Sequence, residues 1–248
     1  MSSTSQGRRR FLSLIVGGSV VGVGLVLLGL EKHQQSRRTS TRTPRTIQAN
    51  ATPRTSGSVS IEETLAKRRS IREYADEPLR IDEVLQLLWA AQGITKPEYG
   101  FRTAPSAGGT YPLEIYLVAR HLGVTGLEAG IYRYEPRDHT LVKIIGGDFG
   151  DQLMAAALDQ EWVGAAPANF VITAVFERTT AKYGERGVRY VWQETGHAAQ
   201  NIYLQTVALG LGNVVVGAFD DTEVQRILQL PELERPMCVI PIGVLRTA

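Results

Sequence analysis

The chain predicts a mixed α+β fold, and three observations carry that prediction. Apolar runs of strand length and apolar stripes at helical spacing follow one another without the regular alternation that builds a parallel sheet. Two runs, 130–134 and 140–145, are separated only by Glu135-Pro136-Arg137-Asp138-His139 and read as a hairpin. From about 187 to 209 runs the longest helical stripe of the chain.

The elements follow in order. Ser60-Ile61-Glu62-Glu63 sets a serine at N-cap and a glutamate at N3, so a helix starts there and ends near Arg68. After Asp82, residues Val84, Leu85, Leu88 and Ala91 recur at helical spacing and give a second, amphipathic helix. Residues 115–119 read as a buried strand, 148–158 as a helix and 169–176 as another strand. On the long helix, Val188, Val191, Trp192, Thr195, Ala199, Ile202 and Leu209 mark the face turned to the core. Apolar strands at 214–216 and 237–244, with a helix at 222–228 between them, complete the pattern. No internal repeat is present.

Charge divides the chain. Its formal net charge of +2 combines +8 over residues 1–60 with −6 over the remainder. A mildly acidic body argues against nucleic acid as a partner, because a phosphate backbone needs a basic face. The single cysteine, Cys238, excludes an internal disulfide, and its apolar neighbours Val239 and Ile240 point to a buried thiol. His33, His121, His139 and His197 show no metal-ligand spacing, and no structural metal is expected.

Residues 1–32 read as a targeting segment, 33–58 as a disordered basic tether, and 59–248 as one domain. Arg8-Arg9-Arg10-Phe11-Leu12, followed by an uncharged run to Leu30, resembles a twin-arginine export signal, an address read by the twin-arginine translocase. Export to the periplasm, with or without retention as a membrane anchor, is the expectation. The uncharged stretch 11–30 is long enough to span a bilayer, and Lys32, Arg37, Arg38, Arg42 and Arg45 behind it favour the alternative of an anchor facing the cytoplasm.

Two segments carry chemistry. Arg68-Arg69-Ser70-Ile71-Arg72 packs three guanidinium groups and a hydroxyl into five residues, the forked donors that hold a phosphate. Ala104-Pro105-Ser106-Ala107-Gly108-Gly109-Thr110-Tyr111-Pro112 is a stiff loop nearly free of side chains, suited to backbone contact with a flat polar ring. The glycines do not form G-x-G-x-x-G, so there is no Rossmann fingerprint.

Together with Gly196-His197-Ala198-Ala199-Gln200-Asn201, and with Leu209-Gly210-Leu211-Gly212-Asn213 through Gly217-Ala218-Phe219, these segments resemble the nitroreductase family. The likeness extends over residues 60–246 and leans to its SagB-type dehydrogenase branch. The resemblance implies a central mixed or antiparallel sheet flanked by helices, and a homodimer with the long helix in its interface. It further implies FMN as cofactor and hydride transfer to or from a small-molecule or peptide substrate, with NAD(P)H as a candidate electron donor.

By the same resemblance, Arg68, Arg69, Ser70 and Arg72 hold the flavin phosphate and ribityl chain, with Arg246 a further phosphate candidate. Pro105, Ser106, Ala107, Gly108 and Gly109 line the ring, while Val215, Gly217 and Ala218 cover its other face. Lys182 and Tyr183, on a glycine-containing loop, fall where SagB-type azoline oxidases carry an acid/base pair. His197 and Gln200, one turn apart, read as a buried polar pair at a helix interface. Two alternatives stand beside the oxidoreductase: a non-catalytic flavin- or ligand-binding domain on this fold, and an azoline oxidase acting on a modified peptide.

Overall fold

The computed structural model describes residues 46–47 and 52–246. The predicted signal or anchor lies outside these residues, as does the tether up to Ala51 apart from Thr46 and Ile47. The described end of the tether is docked on the body: the buried Gln86 amide accepts from the Arg54 N–H at 2.8 Å and donates to the Arg54 carbonyl at 3.0 Å. A buried amide must find partners, and the passing chain supplies both.

The strands are β1 (Thr46–Ile47), β2 (Leu79–Arg80), β3 (Ile94–Lys96), β4 (Phe101–Arg102), β5 (Leu113–Ala119), β6 (Val124–Thr125), β7 (Gly130–Glu135), β8 (Thr140–Gly146), β9 (Ala168–Val175), β10 (Leu211–Asn213) and β11 (Glu234–Val244). The helices are α1 (Ile61–Lys67), α2 (Ile81–Gln92), α3 (Gly150–Ala156), α4 (Glu161–Ala165), α5 (Glu177–Tyr183), α6 (Arg186–Leu209) and α7 (Asp221–Leu228).

Seven strands form one sheet in the order β1-β8-β7-β5-β9-β11-β10, every neighbouring pair antiparallel. Alternation along β5 assigns its two faces. Leu113, Ile115 and Leu117 join a cluster with Val84, Leu88 and Ala91 of α2 and with Val191, Ala198 and Ile202 of α6. Tyr116 and Val118 face the other way, onto Leu153 of α3, Val163 of α4, and Val224 and Ile227 of α7. Cys238 is buried in the α2–α6 layer, as its neighbours predict.

Helix α1 begins as predicted, with Ser60 Oγ accepting the Glu63 N–H at 3.1 Å. Helix α6 spans 24 residues and stops at Gly210, whose left-handed φ of 72° ends it. Its buried stripe is Gly187, Val191, Glu194, Thr195, Ala198, Ala199, Ile202 and Thr206. Val188 and Trp192, expected on the core face, are instead exposed; each is one position, about 100°, beyond a stripe residue. His197 and Gln200, expected to be buried, are also exposed on this helix.

Candidate active site

The loop before β5 is shaped by Ser106. Its carbonyl accepts the Gly109 N–H at 3.1 Å and its Oγ accepts the Tyr111 N–H at 2.9 Å. The chain between turns through positive φ at Gly108 (61°), Gly109 (66°) and Tyr111 (44°). Glycine enters that region freely, whereas tyrosine does not. Tyr111 is held there by Arg178, which donates to its carbonyl at 3.1 Å, and by Arg102, whose guanidinium lies 4.6 Å from its ring centre.

Lys182 and Tyr183 meet this loop. They close α5, a helix where the sequence suggested a loop, and Gly184 at φ 57° terminates it. Thr179 ties the helix to the loop, its hydroxyl 2.8 Å from that of Thr110. Lys182 Nζ donates to the Gly108 carbonyl at 3.3 Å. A Cβ on Gly108 would lie 2.4 Å from the Tyr183 hydroxyl and 2.6 Å from Lys182 Nζ, so only glycine lets the pair come this close. Tyr190 braces the Tyr183 ring edge-on at 5.2 Å.

The arginine segment follows α1 and lies along the sheet end. Ile71 N–H donates to the Asn213 carbonyl at 2.9 Å, and Tyr74 pairs with Leu245. Arg68 stacks over the Tyr203 ring at 5.1 Å and Arg72 over Trp162 at 5.2 Å. Arg69 turns back to the carbonyls of Ala66 and Arg68, at 3.0 and 2.7 Å. Among the described residues none of the three forms an ion pair, whereas Arg246, just past β11, lies 3.9 Å from Glu73. Guanidinium groups that pair with no described carboxylate leave forked donors for an anion such as phosphate, with Arg68 and Arg72 lying over rings of different helices.

Tyr203, which no sequence motif marks, ties two predicted segments together. Its hydroxyl lies 3.2 Å from Ser70 Oγ and accepts the Val215 N–H at 2.9 Å. That bond also explains a displaced strand. The edge strand is 211–213, three residues before the predicted 214–216; past it the Val215 amide turns to Tyr203, and only Val216 regains the sheet, opposite Val239. Gly217 and Ala218 follow, exposed, with open space where a Gly217 side chain would stand.

Among the described residues no hydrogen bond or ion pair joins 68–72 directly to the loop 105–109. Helix α6 lies against both, through Tyr203 on Ser70 and by packing on the 107–109 turn of the loop. The phenol at 203 and the acid at 194 were legible only as polar interruptions of an apolar helix.

Sheet, helices and converging segments define a class: an antiparallel α+β domain whose glycine loop and arginine segment hang on one long helix. The chain belongs to the nitroreductase family, which its residues 65–244 match. A Methanocaldococcus jannaschii protein named as a nitroreductase is 48% identical over 185 residues, 75% of this chain and 91% of that protein. The microcin B17-processing protein McbC of Escherichia coli is 29% identical over 159 residues, 62% of this chain and 58% of McbC. A Ralstonia eutropha structure described as a nitroreductase superposes with a TM-score of 0.71 at 30% identity, over 82% of this chain and 91% of that one. The E. coli microcin synthetase McbBCD complex with truncated pro-MccB17 bound gives 0.63 over 96% of this chain and 85% of that one; at 23% identity it supports the fold alone.

Proposed function

We propose that the chain is an FMN-dependent oxidoreductase of the SagB-type branch, acting as a homodimer. The observation that carries this reading is the meeting of Lys182 and Tyr183 at Gly108, Lys182 on its carbonyl and Tyr183 where a side chain would stand, at the loop suited to a flat ring. Arg68, Arg69, Ser70 and Arg72 would hold the phosphate, with Arg246 as a further candidate. Pro105 to Gly109 would line one face of the ring, and Val215, Gly217 and Ala218 the other. Bound there, FMN supplies a two-electron acceptor and donor of hydride.

The chain's own part is the proton. Lys182 and Tyr183 stand side by side against the loop, Nζ 5.6 Å from the phenol ring centre; in its protonated form either can donate, and in its deprotonated form accept, the proton that accompanies a hydride. The exposed patch of α6 with Val188 and Trp192 is the surface we assign to the second subunit. NAD(P)H is the electron donor to test first. A second reading, oxidation of an azoline ring in a peptide, is favoured by the likeness to McbC.

The test is a visible spectrum of the purified chain, with heat release and identification of any cofactor. A yellow protein that releases FMN supports the reading. Lys182→Ala and Tyr183→Phe should then keep the cofactor and lose turnover; unchanged turnover in both removes them from the mechanism. A colourless protein that takes up no FMN leaves a ligand-binding domain as the better account. We also propose export through the twin-arginine route.

A further inference from the structure

Helix α5 gains little from apolar burial. Its residues, Glu177-Arg178-Thr179-Thr180-Ala181-Lys182-Tyr183, include no Leu, Ile, Val or Met, and Thr179 alone is buried. So short a helix does not persist on propensity. Phe176, just ahead of it, packs on the core and fixes where it starts. Gly187 of α6 lets the two helices approach, since a Cβ there would lie 2.9 Å from Thr180 Cα. What fixes the direction of α5 is a row of polar contacts with the loop.

Three of them run in step. Arg178 Nη1 donates to the Tyr111 carbonyl at 3.1 Å, the Thr179 hydroxyl meets that of Thr110 at 2.8 Å, and Lys182 Nζ donates to the Gly108 carbonyl at 3.3 Å. Residues 178 and 179 share a helix face with 182, four and three positions on. The loop therefore runs down that face, 111 to 108 against 178 to 182.

The Arg178 end of this row is tied to the sheet as well. Its Nη2 pairs with Glu114 Oε1 on β5 at 2.6 Å. One guanidinium thus bridges a loop carbonyl and a strand carboxylate with two separate nitrogens, a planar fork that an ammonium cannot reproduce. Its loop target is itself restrained. Tyr111 stands at φ 44°, with its N–H on Ser106 Oγ at 2.9 Å and its ring centre 4.6 Å from Arg102, which donates to Gln92 Oε1 at 2.8 Å. A lone surface ion pair contributes little, whereas a fork that closes on two fixed acceptors can set a geometry.

We propose that Arg178 is a positioning residue. Bridging Tyr111 and Glu114, it sets the direction of α5 along the loop and so brings Lys182 and Tyr183, one turn further on, to Gly108. The placement stands on the geometry; its bearing on turnover rests on the FMN reading.

Hydrogen–deuterium exchange on the full chain reads the placement without any cofactor. Arg178→Gln and Glu114→Gln should each speed exchange of the 181–184 amides and of the Gly109 and Tyr111 amides by about fivefold or more, while β8 amides stay slow. Arg178→Lys, which keeps the charge and reaches one acceptor at a time, should recover less than about half of the lost protection. The double variant Arg178→Gln with Glu114→Gln should be no faster than the faster single, because both changes open one link.

Exchange in Arg178→Gln that matches the parent overturns the proposal. An Arg178→Lys protein as well protected as the parent overturns it too, since charge alone would then suffice, and so do rates that multiply in the double variant. If the exchange pattern holds and no form of the protein binds FMN, the placement of α5 stands and the cofactor reading falls. If FMN binds, Arg178→Gln should lower kcat with NADH by about tenfold while KM changes little. In a chain already carrying Lys182→Ala and Tyr183→Phe the same change should cost no further activity; a further loss overturns action through the pair.

Discussion

Lys182 Nζ donates to the Gly108 carbonyl at 3.3 Å across 74 positions of sequence, joining the end of a helix to the turn of a distant loop. Gly108 and Gly109 both lie at positive φ, 61° and 66°, so alanine at either should cost roughly 1 kcal/mol in backbone strain. They differ in surroundings. At Gly108 a Cβ meets the tips of Lys182 and Tyr183, whereas the nearest atom to a Gly109 Cβ is Tyr111 Cε2 at 3.9 Å. Gly108→Ala and Gly109→Ala should therefore lose similar stability in urea, and only Gly108→Ala should also displace the pair and cut turnover. Equal turnover losses would detach the pair from the chemistry.

Tyr203→Phe removes a hydroxyl that touches Ser70 and accepts the Val215 N–H. The phenyl remains under Arg68, so packing and the cation–π contact survive. Leaving a part-buried amide unpaired costs roughly 1–2 kcal/mol. The expected result is a lower urea midpoint and weaker FMN retention together. A change in stability alone, with retention intact, would separate Ser70 from the cofactor site.

Replacing Arg8 and Arg9 with lysine keeps the charge and removes the motif. A receptor-read address should fail, so the protein should vanish from the periplasmic fraction. Continued arrival there would point to a signal that depends on charge and hydrophobicity only.

The fold was legible where local rules act alone. Ser60 capped its helix, Gly210 ended another, and the hairpin 130–135 with 140–146 formed where two strand runs flank a short turn. What misled was anything decided by a distant partner. Helix α5 is tied to the loop by Thr179 meeting Thr110, and the predicted strand at 214–216 is broken where Val215 turns to Tyr203. Within the site, motif residues could be read as a set, since glycine and arginine stand out in sequence. Tyr203, Glu194, Gln92 and Arg102 could not, because each gains its role from a neighbour far along the chain.

Glu194 also sets a pH dependence. Burial, opposed by Ser106, Arg102 and Gln92, pushes its carboxyl from the ordinary 4.5 up to about 7. The folded protein therefore binds a proton that the unfolded chain releases between these values. Stability is highest below about 4.5 as far as this group is concerned, falls as pH rises towards 7, and is level above it. At about 1.4 kcal/mol per pKa unit the fall is on the order of 3–4 kcal/mol. Glu234, also raised chiefly by burial, acts in the same sense. Urea unfolding from about pH 5 to about pH 8 should show this decline in the parent protein and a shallower one in Glu194→Gln, with the variant the more stable at the alkaline end. Parallel curves for the two proteins would mean that Glu194 stays ionised throughout, and that Ser106, Gln92 and Arg102 outweigh its burial.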